Sequence, residues 1–207
     1  MWRGFDNPAI STYNSGILRL SEKDGENPVV SAPLVRVWHG PHGWEMERAM
    51  NIVLNRVDER LVHGQVLASW AKKLQAKQIF VVDDQLAGDA FAETVLTMSL
   101  PKEINLKILD VANGSAYIAA NQNGSPPNTI LLMKSPEIAR RLWDMGYHPD
   151  SINIGGMAAG PARRHLCRSV YASDEEIALF RMFQRSGTEV YIQVVHAESK
   201  IRVSDLL

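Results

Sequence analysis

The chain is short of cysteine, of any excess of one charge and of long apolar runs, and each shortage excludes something. A single cysteine, Cys167, among 207 residues cannot close an internal disulfide, and no Cys/His group has the spacing of a structural zinc site. Both points fit a reducing compartment. Lys and Arg total 22 against 23 Asp and Glu, so there is no net field to hold nucleic acid or an anionic membrane, and any anion site must be local. No apolar stretch reaches the roughly 18 residues of a membrane helix. The N-terminus has neither the basic start nor the apolar core of a signal peptide, so a soluble protein is expected. Internal repeats and low-complexity tracts are missing too. What remains is an ordinary globular composition, 45% hydrophobic and 22% charged, long enough for one sizeable core with an appendage.

The chain changes character near Met50. Residues 1–49 mix Pro, Gly, Asn and Ser with Trp2, Trp38 and Trp44 and show no sustained period. They read as an N-terminal extension: an arm that packs on the body or a partner, a loosely ordered tail, or residues ahead of a true start at Met50. The tryptophans argue that part of it packs. Residues 50–207 form the domain proper, alternating short apolar runs with amphipathic stretches. That pattern predicts an α/β fold of three layers, a doubly wound, mainly parallel sheet with helices on both faces. Strands are expected at 51–55, 78–82, 106–109, 129–133, 151–154 and 189–194, and helices starting near Gln65, Asp89, Ala112, Pro136 and Asp174. Ser135 before Pro136 is an N-cap followed by a ring that needs no hydrogen bond, and Ser173-Asp-Glu-Glu176 reads as a capping box. Gly146 and Gly187 stand where helices should stop, and residues 121–128 carry strong turn chemistry.

In such sheets ligands bind beyond the C-terminal strand ends, which directs attention to Arg56-Val-Asp-Glu-Arg-Leu-Val-His-Gly-Gln65. Few structural loops need two arginines, two acids, a histidine and a glycine together. A helix starting at Gly64 and Gln65 would aim free N–H groups and its positive dipole end into the loop, suiting a phosphate oxygen. Arg60 can offer forked donors to phosphate. His63 is the residue here able to act as a nucleophile without a second activating base. Asp58 could hold its imidazole, or could pair with Arg56 or Arg60 and fix the loop. The residues alone leave a second reading open, in which His63 merely starts a helix and the charges form surface pairs.

The run at 56–66 closely resembles the signature of enzyme IIB in the mannose/sorbose family of the phosphoenolpyruvate-dependent sugar phosphotransferase system. The similarity continues through Val81-Val-Asp-Asp84, Leu131-Leu-Met-Lys-Ser-Pro136 and Asn153-Ile-Gly-Gly-Met157. It implies that His63 takes a phosphoryl group from a phosphohistidine of a IIA protein or domain and gives it to a sugar held by the membrane components IIC and IID. Arg60 would contact the phosphate. It further implies a cytoplasmic protein, peripheral to the inner face of the membrane, working without metal or other cofactor and compatible with a homodimer. A regulatory relative, in which the same phosphohistidine signals sugar flux without transport coupling, is the alternative. A small hydrolase using His63 as base ranks last, because no G-x-S-x-G exists and Cys167 is isolated. After Met157 the chain departs from the family pattern at Ala-Ala-Gly-Pro-Ala-Arg-Arg-His165.

Other features carry blander expectations. Asp83 and Asp84 should cap and pair rather than bind a cation. Gly155, Gly156 and Gly160 should form a tight turn beside the site, since they lack dinucleotide spacing. Arg163, Arg164 and His165 form a basic cluster, a solvated face or a dock for IIA. Cys167 should be a buried small residue, Trp70, Met98, Trp143 and Met145 should be core, and Asn113-Gly-Ser115 and Asn123-Gly-Ser125 should be turns.

Overall fold

The computed structural model describes residues 35–38, 44–47, 50–122, 124 and 126–207. Of the expected extension, β1 (Val35–Trp38) and β2 (Trp44–Glu47) fall among these and pair antiparallel; the remainder lies outside the described residues, as does most of Asn123-Gly-Ser125. From residue 51 the elements are β3 (Asn51–Asp58), α1 (Gly64–Leu74), β4 (Gln78–Val82), α2 (Ala90–Met98), β5 (Asn105–Leu109), α3 (Val111–Asn121), β6 (Asn128–Met133), α4 (Pro136–Asp144), β7 (Ser151–Gly156), β8 (Arg164–Cys167), β9 (Val170–Ala172), α5 (Asp174–Arg185), β10 (Glu189–Ile192) and β11 (Ile201–Arg202). The main sheet runs β11-β10-β7-β3-β6-β4-β5. Its neighbours are parallel except β11, which lies antiparallel to β10.

The central strands read as unbroken apolar runs because both their faces are covered. Phe80, Val82, Leu131 and Met133 join Leu142, Phe180 and Phe183 of α4 and α5 in one cluster. Ile79, Val81, Ile130 and Leu132 join Leu67 and Trp70 of α1 in the other. Strand alternation thus feeds two cores, one on each side of the sheet, and the three expected layers follow. Helix starts are where the sequence placed them. Asp89 accepts from the Phe91 and Ala92 N–H groups, Ser135 from Ile138, and Ser173 and Glu176 close a reciprocal capping box. Gly146 and Gly187, at φ +97° and +93°, follow α4 and α5 in the conformation that glycine adopts freely.

Several expectations fail for local reasons. Asn113-Gly-Ser115 lies inside α3 rather than in a turn. A Cβ on Gly114 would come within 3.0 Å of Val82 Cγ2, so close helix–strand packing overrides turn propensity. Met98 is 81% and Met145 50% exposed; neither is core, while Trp70 is buried and Trp143 packs partly buried against the α4–α5 side. Strand β10 stops at Ile192 instead of residue 194 because the Gln193 and Val194 carbonyls accept from Arg56.

The topology marks one place on the C-terminal edge. From β3 the chain leaves through α1 toward β4, whereas from β7 it leaves through β8, β9 and α5 toward β10 on the opposite side. Adjacent parallel strands whose connections diverge open a crevice between them.

Candidate functional site

The loop 58–63 lies at that crevice and is tightly folded. The Leu61 N–H donates to the Asp58 carbonyl at 2.9 Å, and the His63 N–H to the Leu61 carbonyl at 3.0 Å. Leu61 and Val62 are buried in the α1-side core, and Leu61 has φ +50°, a left-handed conformation that costs a leucine about 1–3 kcal/mol unless its surroundings hold it. With its neighbours pinned inward, His63 stays exposed. It is the N-cap of α1, extended at φ −99° and ψ 95°, and its side chain makes no capping bond. Gly64 and Gln65 are the first helical residues, and α1 carries no acid in its first turn. The positive end of the helix dipole is therefore not cancelled by its own side chains.

Beside the loop is a buried charge network. Asp58 Oδ1 accepts from the Arg60 N–H at 3.1 Å and from Arg60 Nε at 2.9 Å. Its Oδ2 accepts from Arg60 Nη2 at 2.9 Å and from Arg56 Nη2 at 2.8 Å. Of the partners open to Asp58, the structure selects the two arginines. Burial pushes the Asp58 carboxyl upward, but the Arg60 hydrogen bond and both guanidinium charges outweigh it and hold the group below its ordinary value. Arg56 is 1% exposed. Its Nη1 donates to Asn153 Oδ1 at 2.5 Å and to the Gln193 carbonyl at 3.1 Å, its second Nη2 bond goes to the Val194 carbonyl at 3.0 Å, and its Cζ lies 5.8 Å from the centroid of the Trp70 ring. Burial lowers its pKa and Asp58 opposes that. Arg60, with its side chain 40% exposed, keeps Nη1 and one Nη2 proton beyond those engaged with Asp58.

Gly155 and Gly156 are strand residues of β7, not a turn. Added Cβ atoms there would come 2.1 Å from Arg56 Cζ and 2.9 Å from Arg60 Nη2. The two glycines are the floor on which the two guanidinium groups lie. Two consecutive glycines ending a buried strand are a sequence sign of close approach, and read that way they would have pointed to the arginines. Gly160 does form a turn, its carbonyl accepting from the Arg163 N–H.

Asp83 caps Gln85 and Leu86 N–H groups, while Asp84 accepts from the Val111 N–H and pairs with Arg141, as expected. The 163–165 cluster is not uniformly basic surface: Arg163 pairs with Glu59 and Glu176, while Arg164 and His165 point outward. Cys167 is half-buried rather than buried, and burial pushes its thiol pKa up, opposite to an activated nucleophile. Among the described residues no group of three or more His, Cys, Asp or Glu is placed to hold a metal ion, and no helix is long and apolar enough to cross a membrane. An open cleft of about 390 Å³ adjoins the loop, lined by Arg60, Leu61, Leu86, Phe91 and Lys134 among others.

The sequence profile of the family described as PTS system sorbose subfamily IIB component matches residues 52–207. The chain is 28% identical to the PTS system mannose-specific EIIAB component of Escherichia coli K12 over 96% of its own length, spanning 62% of that longer protein. It is 26% identical to the sorbose-specific EIIB component of Klebsiella pneumoniae over 75% of this chain and 94% of the relative. Among solved structures, the IIBSor domain of the sorbose permease from Klebsiella pneumoniae superposes with a TM-score of 0.69 at 26% identity, covering 75% of this chain and 95% of that one. ManxB from Thermoanaerobacter tengcongensis gives 0.69 at 29% identity, covering 76% and 95%.

Proposed function

Since the chain belongs to the sorbose-subfamily IIB components of the sugar phosphotransferase system, we propose that His63 is its phosphoryl acceptor, loaded by a phosphohistidine of a IIA protein or domain and unloaded onto a sugar held by membrane IIC and IID. The observation that carries this reading is the exposed imidazole of His63 at the start of α1, three residues after Arg60 in the loop at the crevice where β3 and β7 part. A lone pair on a His63 ring nitrogen forms a new P–N bond as the donor's P–N bond breaks; His63 gives up the proton on its other ring nitrogen, and the donor imidazole takes up one proton and leaves neutral. In the second step a sugar hydroxyl oxygen attacks phosphorus as the His63 P–N bond breaks, and the proton the hydroxyl loses balances the one the regenerated His63 imidazole takes up.

Such transfer between imidazoles needs in-line placement and charge neutralisation more than covalent machinery. The free amide groups of the α1 start and the open Nη1 side of Arg60 supply the second, with Asp58 keeping the guanidinium in place. Arg56, enclosed by Asp58, Asn153 and backbone carbonyls, holds Asp58 ionised and in position rather than meeting phosphate itself. The assignment locates the protein at the inner face of the membrane, through its partners.

The test is incubation with phosphoenolpyruvate, the two general phosphotransferase proteins and a IIA donor. An acid-labile, base-stable phosphate is expected on the wild type, and Arg60→Ala should slow its formation by about a hundredfold with the fold intact. Failure of every mannose/sorbose-type IIA donor to label the protein counts against the reading.

A further inference from the structure

We propose that Arg163 is a positioning residue for the phosphoryl-accepting loop, clamping Glu59 so that the loop is fixed across the crevice between β3 and β7. The proposal rests on the assignment of His63 as acceptor and adds a residue outside the signature run. The parallel ladder of β3 and β7 ends at the Asp58 and Gly156 pair. Beyond it the two connections diverge, and Glu59 spans the gap. Its N–H donates to the Gly156 carbonyl at 3.0 Å. One carboxylate oxygen accepts from the Ala158 N–H at 2.8 Å, and the other pairs with Arg163 Nη1.

Arg163 is itself held from behind. Its Nη1 also donates to the Ala158 carbonyl at 3.0 Å, while Nε and Nη2 grip the two oxygens of Glu176 at 2.9 and 2.5 Å. Glu176 is the residue that closes the α5 capping box. One guanidinium thus sits between two carboxylates and joins the reactive loop, the segment after β7 and the start of α5. Side-chain exposures of 21% for Arg163, 24% for Glu59 and 16% for Glu176 set it apart from a solvated surface pair.

The loop has a specific need for such a clamp. Leu61 occupies left-handed space, a state that persists only when the residues around it are over-determined. Its buried side chain fixes it from below, and Glu59, two residues earlier, fixes the backbone from the β7 side. Release of Glu59 should let the 58–63 turn relax and His63 drift from its in-line position. A lysine at 163 could reach Glu59 as a point charge but could not also fork onto Glu176.

The experiment compares wild type, Glu59→Gln, Arg163→Ala, Arg163→Lys, Glu176→Gln and the double variant Glu59→Gln/Arg163→Ala. It reads the labelling rate of His63 at saturating IIA donor and the hydrogen exchange of amides 58–63. Glu59→Gln and Arg163→Ala should each slow labelling by about ten- to a hundredfold and speed loop exchange, with the double variant no worse than the slower single. Arg163→Lys should fall between. Glu176→Gln weakens the rear hold on Arg163 but leaves the Glu59 pair, so it should lower the thermal midpoint and slow labelling by less than Arg163→Ala does. Should Arg163→Ala misfold, Glu59→Gln, nearly isosteric, decides alone. Wild-type labelling and exchange in Glu59→Gln and Arg163→Ala overturn the proposal. So does a Glu176→Gln variant that reproduces the whole loss, which makes Arg163 a support of α5 only. A wild type that is never labelled, with loop exchange still raised in Glu59→Gln and Arg163→Ala, removes the carrier assignment and keeps the clamp.

Discussion

Arg56 heads the fully buried side chains by volume, and its burial depends on a missing atom. With Gly155 beneath it, the guanidinium lies flat on β7; Gly155→Ala would drive a Cβ to 2.1 Å from Cζ. That substitution should destabilise the fold by about 3 kcal/mol, since overpacking of this severity must displace either the strand or the arginine. Urea unfolding measures it. Gly156→Ala, facing the more exposed Arg60, should cost less. Asp58 carries a pH signature. Its folded value is depressed below its ordinary 3.8, so its contribution is complete above that value and drains away as pH falls through the folded one. Asp58→Asn should lower stability at neutral pH by about 3 kcal/mol, because Arg56 is left buried without its counter-charge. It should also flatten the dependence of the urea midpoint below about pH 4. The sequence made the loop's inventory of charged groups and its place at the end of the first domain strand legible. It could not say which partner Asp58 takes, because two arginines and a histidine all lie within five residues of it along the chain and the choice is made against β7, about a hundred residues away in sequence.

At the scale of elements, the legible features were those that act within a few residues. Ser135 and Ser173 state their helices outright, and Ser173→Ala should cost about 1 kcal/mol in thermal unfolding. The β8–β9 hairpin and β11 were not legible: strands of four, three and two residues are too short to show a period. Helix α2 differs from the others. None of its residues is buried, and Phe91 and Met98 are about four-fifths exposed. With little apolar anchorage it should open locally at a lower free energy than α4 or α5, which native-state hydrogen exchange resolves as faster exchange of amides 94–98. Comparable protection in α2 and α5 would contradict that ranking.

For the molecule as a whole, alternating apolar and amphipathic stretches were enough to expect three layers, and the fold matches. Strand order was beyond reach, because it depends on which way each crossover turns and not on any strand's own residues. That order matters most for function: it places β3 beside β7, brings Arg56 and Arg60 over Gly155 and Gly156, and opens the crevice at His63. The central claim is that this arrangement makes His63 the phosphoryl acceptor. The direct measurement is mass-spectrometric mapping, under base-stable conditions, of the protein labelled through a IIA donor. The account predicts one phosphate on the peptide containing His63 and none on the His63→Gln variant. A phosphate on His165, His196 or any other residue, or undiminished labelling of His63→Gln, would contradict it.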